Sequence, residues 1–155
     1  MPTNHTILLV EDETLVRHFM VGVLKKAGYG ILEARSAVEA KAALRCPTGV
    51  ISLVISDIQM PGGNGLDLAV DLGIEHPTLP LLFVSGLLES VAVASILLRD
   101  RRAILTKPFT SRELLCRVRE FLPPDSMPLG HQSGDLSRKP VVTEPSHQLQ
   151  RRKVR

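Results

Sequence analysis

Apolar residues fall along this chain in two alternating rhythms. Short unbroken runs at Thr6–Val10, Ser52–Ser56, Leu81–Val84 and Ala103–Leu105 read as strands. Within Ile7–Val10 and Leu53–Ile55 nothing alternates, as expected of strands covered on both faces. Between the runs lie segments of helical period. Glu13–Ala27 repeats Leu15, Val16, Phe19, Met20, Val23 and Leu24, and Gly28 is placed to stop it. Tyr29–Ala34 reads as a second strand. Ser36 with Glu39 three residues on is a capping box for a helix to about Arg45, broken by the stretch from Cys46 to Gly49. Leu66–Glu75 and Glu89–Leu98 read as the third and fourth helices. Thr110 with Glu113 is a second capping box, and Leu114, Leu115, Val118, Phe121 and Leu122 form one face of the last helix. The pattern is β-α repeated five times. It predicts an α/β fold in which a five-stranded parallel sheet is flanked by five helices through right-handed crossovers.

The strand ends carry the chemistry. Glu11 and Asp12 follow the first run, Asp57 the third, Ser85 the fourth and Lys107 the fifth. Open α/β sheets bind ligands at that edge. Each residue has a bland explanation by itself: helix-capping acids at 11 and 12, an Asx turn at 57, a turn serine, a solvated lysine. Together these explanations strain, because ionised carboxylates about 4 Å apart repel by roughly 4 kcal/mol per pair at an effective dielectric near 20. A hard divalent cation relieves that repulsion, and oxygen ligands without histidine or thiol favour Mg²⁺ or Mn²⁺. Lys107 offers a point charge and Ser85 a hydroxyl to phosphoryl oxygens.

Composition narrows the partners. Net charge is +3, but residues 1–122 hold 13 basic and 13 acidic residues, so the excess belongs to residues 123–155. That stretch carries five prolines and ends in Gln150-Arg-Arg-Lys-Val-Arg155, which predicts a disordered basic tail appended to a domain over 1–122. Aromatics make up only 3% of the chain, leaving no stacking platform for single-stranded nucleic acid. Cys46 and Cys116 have neither metal-ligand nor redox-pair spacing, and no apolar run is long enough to span a bilayer. The expectation is a cytoplasmic protein without a membrane partner.

At these residues the chain resembles the receiver domains of bacterial two-component response regulators. The resemblance covers about residues 5–122. It rests on Leu8-Leu-Val-Glu-Asp-Glu13, Val54-Ile-Ser-Asp-Ile-Gln-Met-Pro-Gly-Gly-Asn-Gly65, Phe83-Val-Ser-Gly86 and Leu105-Thr-Lys-Pro-Phe109. It implies a flavodoxin-like sheet of order 2-1-3-4-5, with Asp57 accepting a phosphoryl group from a sensor histidine kinase or phosphotransfer protein. Asp12, Asp57 and the Gln59 backbone carbonyl would bind Mg²⁺, Glu11 would act through water, and Ser85 and Lys107 would hold phosphoryl oxygens. It also implies a cis peptide at Lys107-Pro108. Ile104 departs from the aromatic usual in the family three residues before the lysine. The basic run Arg99-Asp-Arg-Arg102 replaces small residues there.

The expected function is a stand-alone signalling module, switched by phosphorylation, that alters contacts with an unnamed downstream protein. Homodimerisation through the last two helices stays open. Two rival functions remain: a Mg²⁺-dependent phosphatase with an aspartyl nucleophile, and a receiver-like scaffold touching nucleic acid through its tail; a third possibility is a piece of a larger hybrid kinase. The phosphatase needs a second acid for the leaving group, and the loop after Asp57 has none before Asp67.

Overall fold

The computed structural model describes residues 4–45, 50–61, 63–86 and 102–123. In chain order they form β1 (Thr6–Val10), α1 (Thr14–Lys26), β2 (Gly30–Ala34), α2 (Ala37–Arg45), β3 (Ile51–Asp57), β4 (Gln59–Met60), β5 (Gly63–Asn64), α3 (Gly65–Glu75), β6 (Leu81–Ser85), β7 (Arg102–Thr106) and α4 (Ser111–Phe121). Five strands make one parallel sheet in the order β2-β1-β3-β6-β7, the order expected. The helix predicted over 89–98 and the tail from 124 onward lie outside the described residues.

The unbroken apolar runs are explained by burial on both faces. Along β1, Ile7 and Leu9 enter one core cluster while Leu8 and Val10 enter the other; Leu53 and Ile55 oppose Val54 in the same way on β3. Each such side chain contributes about 1.5–3 kcal/mol of burial, so the two central strands are held from both sides. Their register is fixed as firmly, since a slip by one residue would exchange the faces.

Local signals set the ends of the helices. Gly28, at φ 96°, closes α1 in a Schellman arrangement: its N–H donates to the Lys25 carbonyl and the Tyr29 N–H to the Leu24 carbonyl. The Thr110 hydroxyl accepts from the Glu113 N–H while the Glu113 carboxylate accepts from the Thr110 N–H, so that box is complete. The Ser36 box is a variant, because Glu39 reaches back to the N–H of Arg35 rather than to that of Ser36.

Two expectations are corrected in detail. The buried line of α1 is Arg17, Met20, Val21 and Leu24, whereas Leu15 and Phe19 face outward. Phe19 instead meets Phe109 with ring centroids 6.2 Å apart, and both line a mostly apolar groove of about 480 Å³ with Leu15 and Pro108. The segment after Asp57 is more than a loop. Gln59–Met60 pairs antiparallel with Gly63–Asn64 in a small ladder that returns the chain to α3.

Candidate functional site

Register brings the strand ends together. Val10 lies beside Ser56, Asp57 beside Val84, and Ser85 beside Thr106. Residues one step beyond therefore share one edge of the sheet. The ladders run slightly past the strands: the Glu11 N–H donates to the Ala34 carbonyl, that of Ile58 to Val84, and that of Lys107 to Ser85 at 2.8 Å. Each candidate side chain thus stands on a backbone held by its neighbour.

The side chains converge as expected. One carboxylate oxygen from each of Glu11, Asp12 and Asp57 lies within 4.8 Å of the others. The Lys107 Nζ donates to Asp57 Oδ2 at 2.5 Å and to Glu11 Oε2 at 3.0 Å. Asp57 Oδ1 accepts from the Gln59 N–H at 2.8 Å, and Glu11 Oε1 from the Glu13 N–H at 3.2 Å. Glu11 is 1% exposed and Asp57 7%, while Asp12 is half-buried. Ser85 is fully buried at the end of β6, next to the strand that bears Lys107. The Lys107–Pro108 peptide is cis, as the resemblance implies.

Electrostatics follow from this crowding. Burial pushes the Glu11 carboxyl above its ordinary pKa, and the Asp57 charge adds to the rise. The Lys107 ammonium and the Glu13 amide pull back without cancelling it. Burial by itself would lower Lys107. Its hydrogen bonds to Asp57 and Glu11, with their charges, win and raise it above the ordinary lysine value. Three carboxylates gathered about one ammonium leave more negative charge than it balances.

Two residues not singled out in the sequence matter to this geometry. Gly65 begins α3 against the end of β3, where an added Cβ would stand 2.1 Å from the Asp57 carbonyl oxygen. Its place in a glycine-rich stretch was visible, but the close approach depends on packing. Arg17 is 3% exposed and reaches back to the β1–α1 connection. The signal for it was its spacing from Met20, Val21 and Leu24, which puts it at the head of the buried stripe. Arg102, the last residue of the basic run, is half-buried and donates to the Ala69 carbonyl at 2.9 Å. Ile104 is half-buried on β7 and borders a groove of about 630 Å³ with Cys116, Arg117 and Glu120.

The family model described as the response regulator receiver domain matches residues 7–119. The chain belongs to that family. Receiver domains are the phosphorylation-switched signalling modules of two-component systems. This one is 37% identical over 117 residues to the sensor kinase CckA of Brucella abortus, covering 76% of this chain and 12% of that protein. To the aerobic respiration control protein ArcA of Escherichia coli strain K12 it is 38% identical over 122 residues, covering 79% and 50%. The chain therefore spans half or less of these two relatives. The crystal structure of the NtrX receiver domain from Brucella abortus is similar, with a TM-score of 0.68 and 30% identity over 75% of this chain and 97% of that one. Among the described residues, no helix is long and apolar enough to cross a membrane.

Proposed function

We propose that the Asp57 carboxylate accepts a phosphoryl group from the phosphohistidine of a sensor kinase or phosphotransfer protein, and that the added charge changes the protein's contacts with a downstream partner. The observation that carries this reading is the position of Lys107 Nζ, 2.5 Å from Asp57 Oδ2 and 3.0 Å from Glu11 Oε2. A fixed cation there meets the charge that a phosphoryl group brings to Asp57.

The donor set suits a hard divalent cation, because three carboxylates converge with no histidine or thiol among them. Asp12, Asp57 and the Gln59 carbonyl would hold Mg²⁺ or Mn²⁺, and the ion supplies neutralisation of charge on the phosphoryl oxygens. Glu11, whose oxygens accept from the Glu13 N–H and the Lys107 ammonium, would act through water, as the resemblance implies. In the transfer, the bond from Asp57 Oδ to phosphorus forms as the phosphorus–nitrogen bond breaks, and the imidazole leaves with the electron pair. Catalysis of this kind rests on positioning and charge. Lys107 supplies charge, and Ser85, at the end of the neighbouring strand, would donate its hydroxyl to a phosphoryl oxygen. The product adds about −1.5 to −2 charges at the end of β3. Lys107 and Ser85 then carry the change along β6 and β7. With Ile104 in place of an aromatic, that transmission runs without an aromatic ring turning inward.

On this reading the domain is a phosphoacceptor, not a turnover enzyme. Incubation with acetyl phosphate and Mg²⁺ should give a phosphoprotein whose label is lost in Asp57→Asn. Equal labelling of that variant would overturn the proposal. Rapid hydrolysis of many phosphate esters by the wild type would favour a phosphatase instead.

A further inference from the structure

We infer that Arg17 is a positioning residue for the acidic pair Glu11–Asp12, orienting it toward a divalent cation. The inference rests on the cation reading given above. The Arg17 Nη1 donates to the Glu11 carbonyl at 2.9 Å and to the Asp12 carbonyl at 3.2 Å. Nη2 donates to Thr14 Oγ1 at 3.4 Å, and Nε lies 3.6 Å from Glu33 Oε2 on β2. All three guanidinium nitrogens are engaged, and the fork is held between the turn and the neighbouring strand.

The consequence follows from peptide planarity. The Glu11 carbonyl and the Asp12 N–H share one rigid plane, and the Asp12 carbonyl and Glu13 N–H share the next. Arg17 pins the carbonyl of both planes. The two planes flanking the Asp12 Cα are thereby set, and with them the direction in which its side chain leaves the backbone. The second plane also aims the Glu13 N–H, which donates to Glu11 Oε1 at 3.2 Å. One buried side chain thus orients Asp12 directly and Glu11 through a single hydrogen bond. Burying a guanidinium is costly, and at the head of the stripe Met20, Val21 and Leu24 an apolar residue would serve packing alone. Lysine cannot substitute, since its ammonium lacks the planar fork.

The test uses the full chain with Mg²⁺ alone, in Arg17→Lys, Arg17→Gln and Glu33→Gln. Two readouts are taken below the melting temperature of each variant: Mg²⁺ affinity by calorimetric titration, and amide hydrogen exchange at Glu13 without metal. Both Arg17 variants should weaken Mg²⁺ binding by about 10- to 100-fold, the usual effect of losing an outer partner of a ligand. They should also lose protection at Glu13, while Leu9 and Ile55 on the central strands keep theirs. Glu33→Gln should cause a smaller loss in the same direction. A merely structural arginine would lower the melting temperature and leave both readouts intact. Arg17→Lys that binds Mg²⁺ like the wild type, with Glu13 protected, overturns the inference; it would mean that charge suffices. If neither Arg17 variant folds, Glu33→Gln decides, and an unchanged result there overturns it. A wild type that fails to bind Mg²⁺ would sink the cation reading, whereas Glu13 exchange, read without metal, still decides the clamp.

Discussion

Gly65→Ala should damage the site through the backbone, without touching a functional side chain. The new Cβ would stand 2.1 Å from the Asp57 carbonyl oxygen, and 3.0 Å from both the Asp57 carbonyl carbon and the Ile58 Cα. Carbon does not approach oxygen so closely in a packed interior, so the end of β3 and the start of α3 must separate by roughly 1 Å. None of these three atoms can rotate away. The Gly65 N–H also donates to the Ile58 carbonyl at 3.0 Å, and the Ser56 hydroxyl to the Asp57 carbonyl at 2.9 Å, so the movement strains two further bonds. Overpacking of this kind costs about 1–3 kcal/mol, and rigid backbone on both sides places this case near 3. For a domain of this size that is a fall in melting temperature of roughly 10 °C. Displacing the Asp57 carboxylate by a comparable distance should slow labelling by acetyl phosphate about 10²-fold. Urea unfolding and the labelling rate test the two halves separately. If Gly65→Ala unfolds at the wild-type urea concentration and labels at the wild-type rate, the contact is not the constraint described.

Two other perturbations have a definite sign. Lys107→Met leaves Glu11 and Asp57 facing each other and should destabilise the metal-free protein by about 2 kcal/mol at neutral pH. An acid raised in the folded state carries its stability below its unfolded pKa and loses it as pH rises through the folded value. The deficit should therefore shrink in acid as Glu11 takes up its proton; equal losses in urea at pH 4 and pH 8 would contradict the charge account. Thr110→Ala should cost about 1 kcal/mol by removing a helix cap. Glu113 is lowered by the hydrogen bonds from Thr110, so the stability of that box is present above the ordinary carboxylate pKa and fades as pH falls through the lowered one. A deficit that does not change between pH 7 and pH 3 would exclude that coupling.

The sheet was legible because its strands are unbroken apolar runs and its turns carry glycine, proline and capping residues. The strand ends then located the site, since parallel register brings the residues after Val10, Ser56 and Thr106 to one edge. What could not be read depended on distances across the fold. The spacing of Arg17 from Met20, Val21 and Leu24 puts it on the buried stripe of α1, but its partners, the carbonyls of Glu11 and Asp12 and the carboxylate of Glu33, appear only in the fold. Leu15 and Phe19 count as core by helical period, yet they lie on the other side of the α1 buried line. The four-residue ladder after Asp57 is too short to leave a pattern.

The sheet's strand order divides the site into two mechanical halves. The carboxylates stand at the ends of β1 and β3, each gripped by a strand on either side, while the ammonium follows β7, which among the described residues has β6 alone for a strand neighbour. On the phosphoacceptor reading, a change of charge at Asp57 is answered at the strand with the fewest partners, and the flank formed by β7 and α4 is where a partner would sense it.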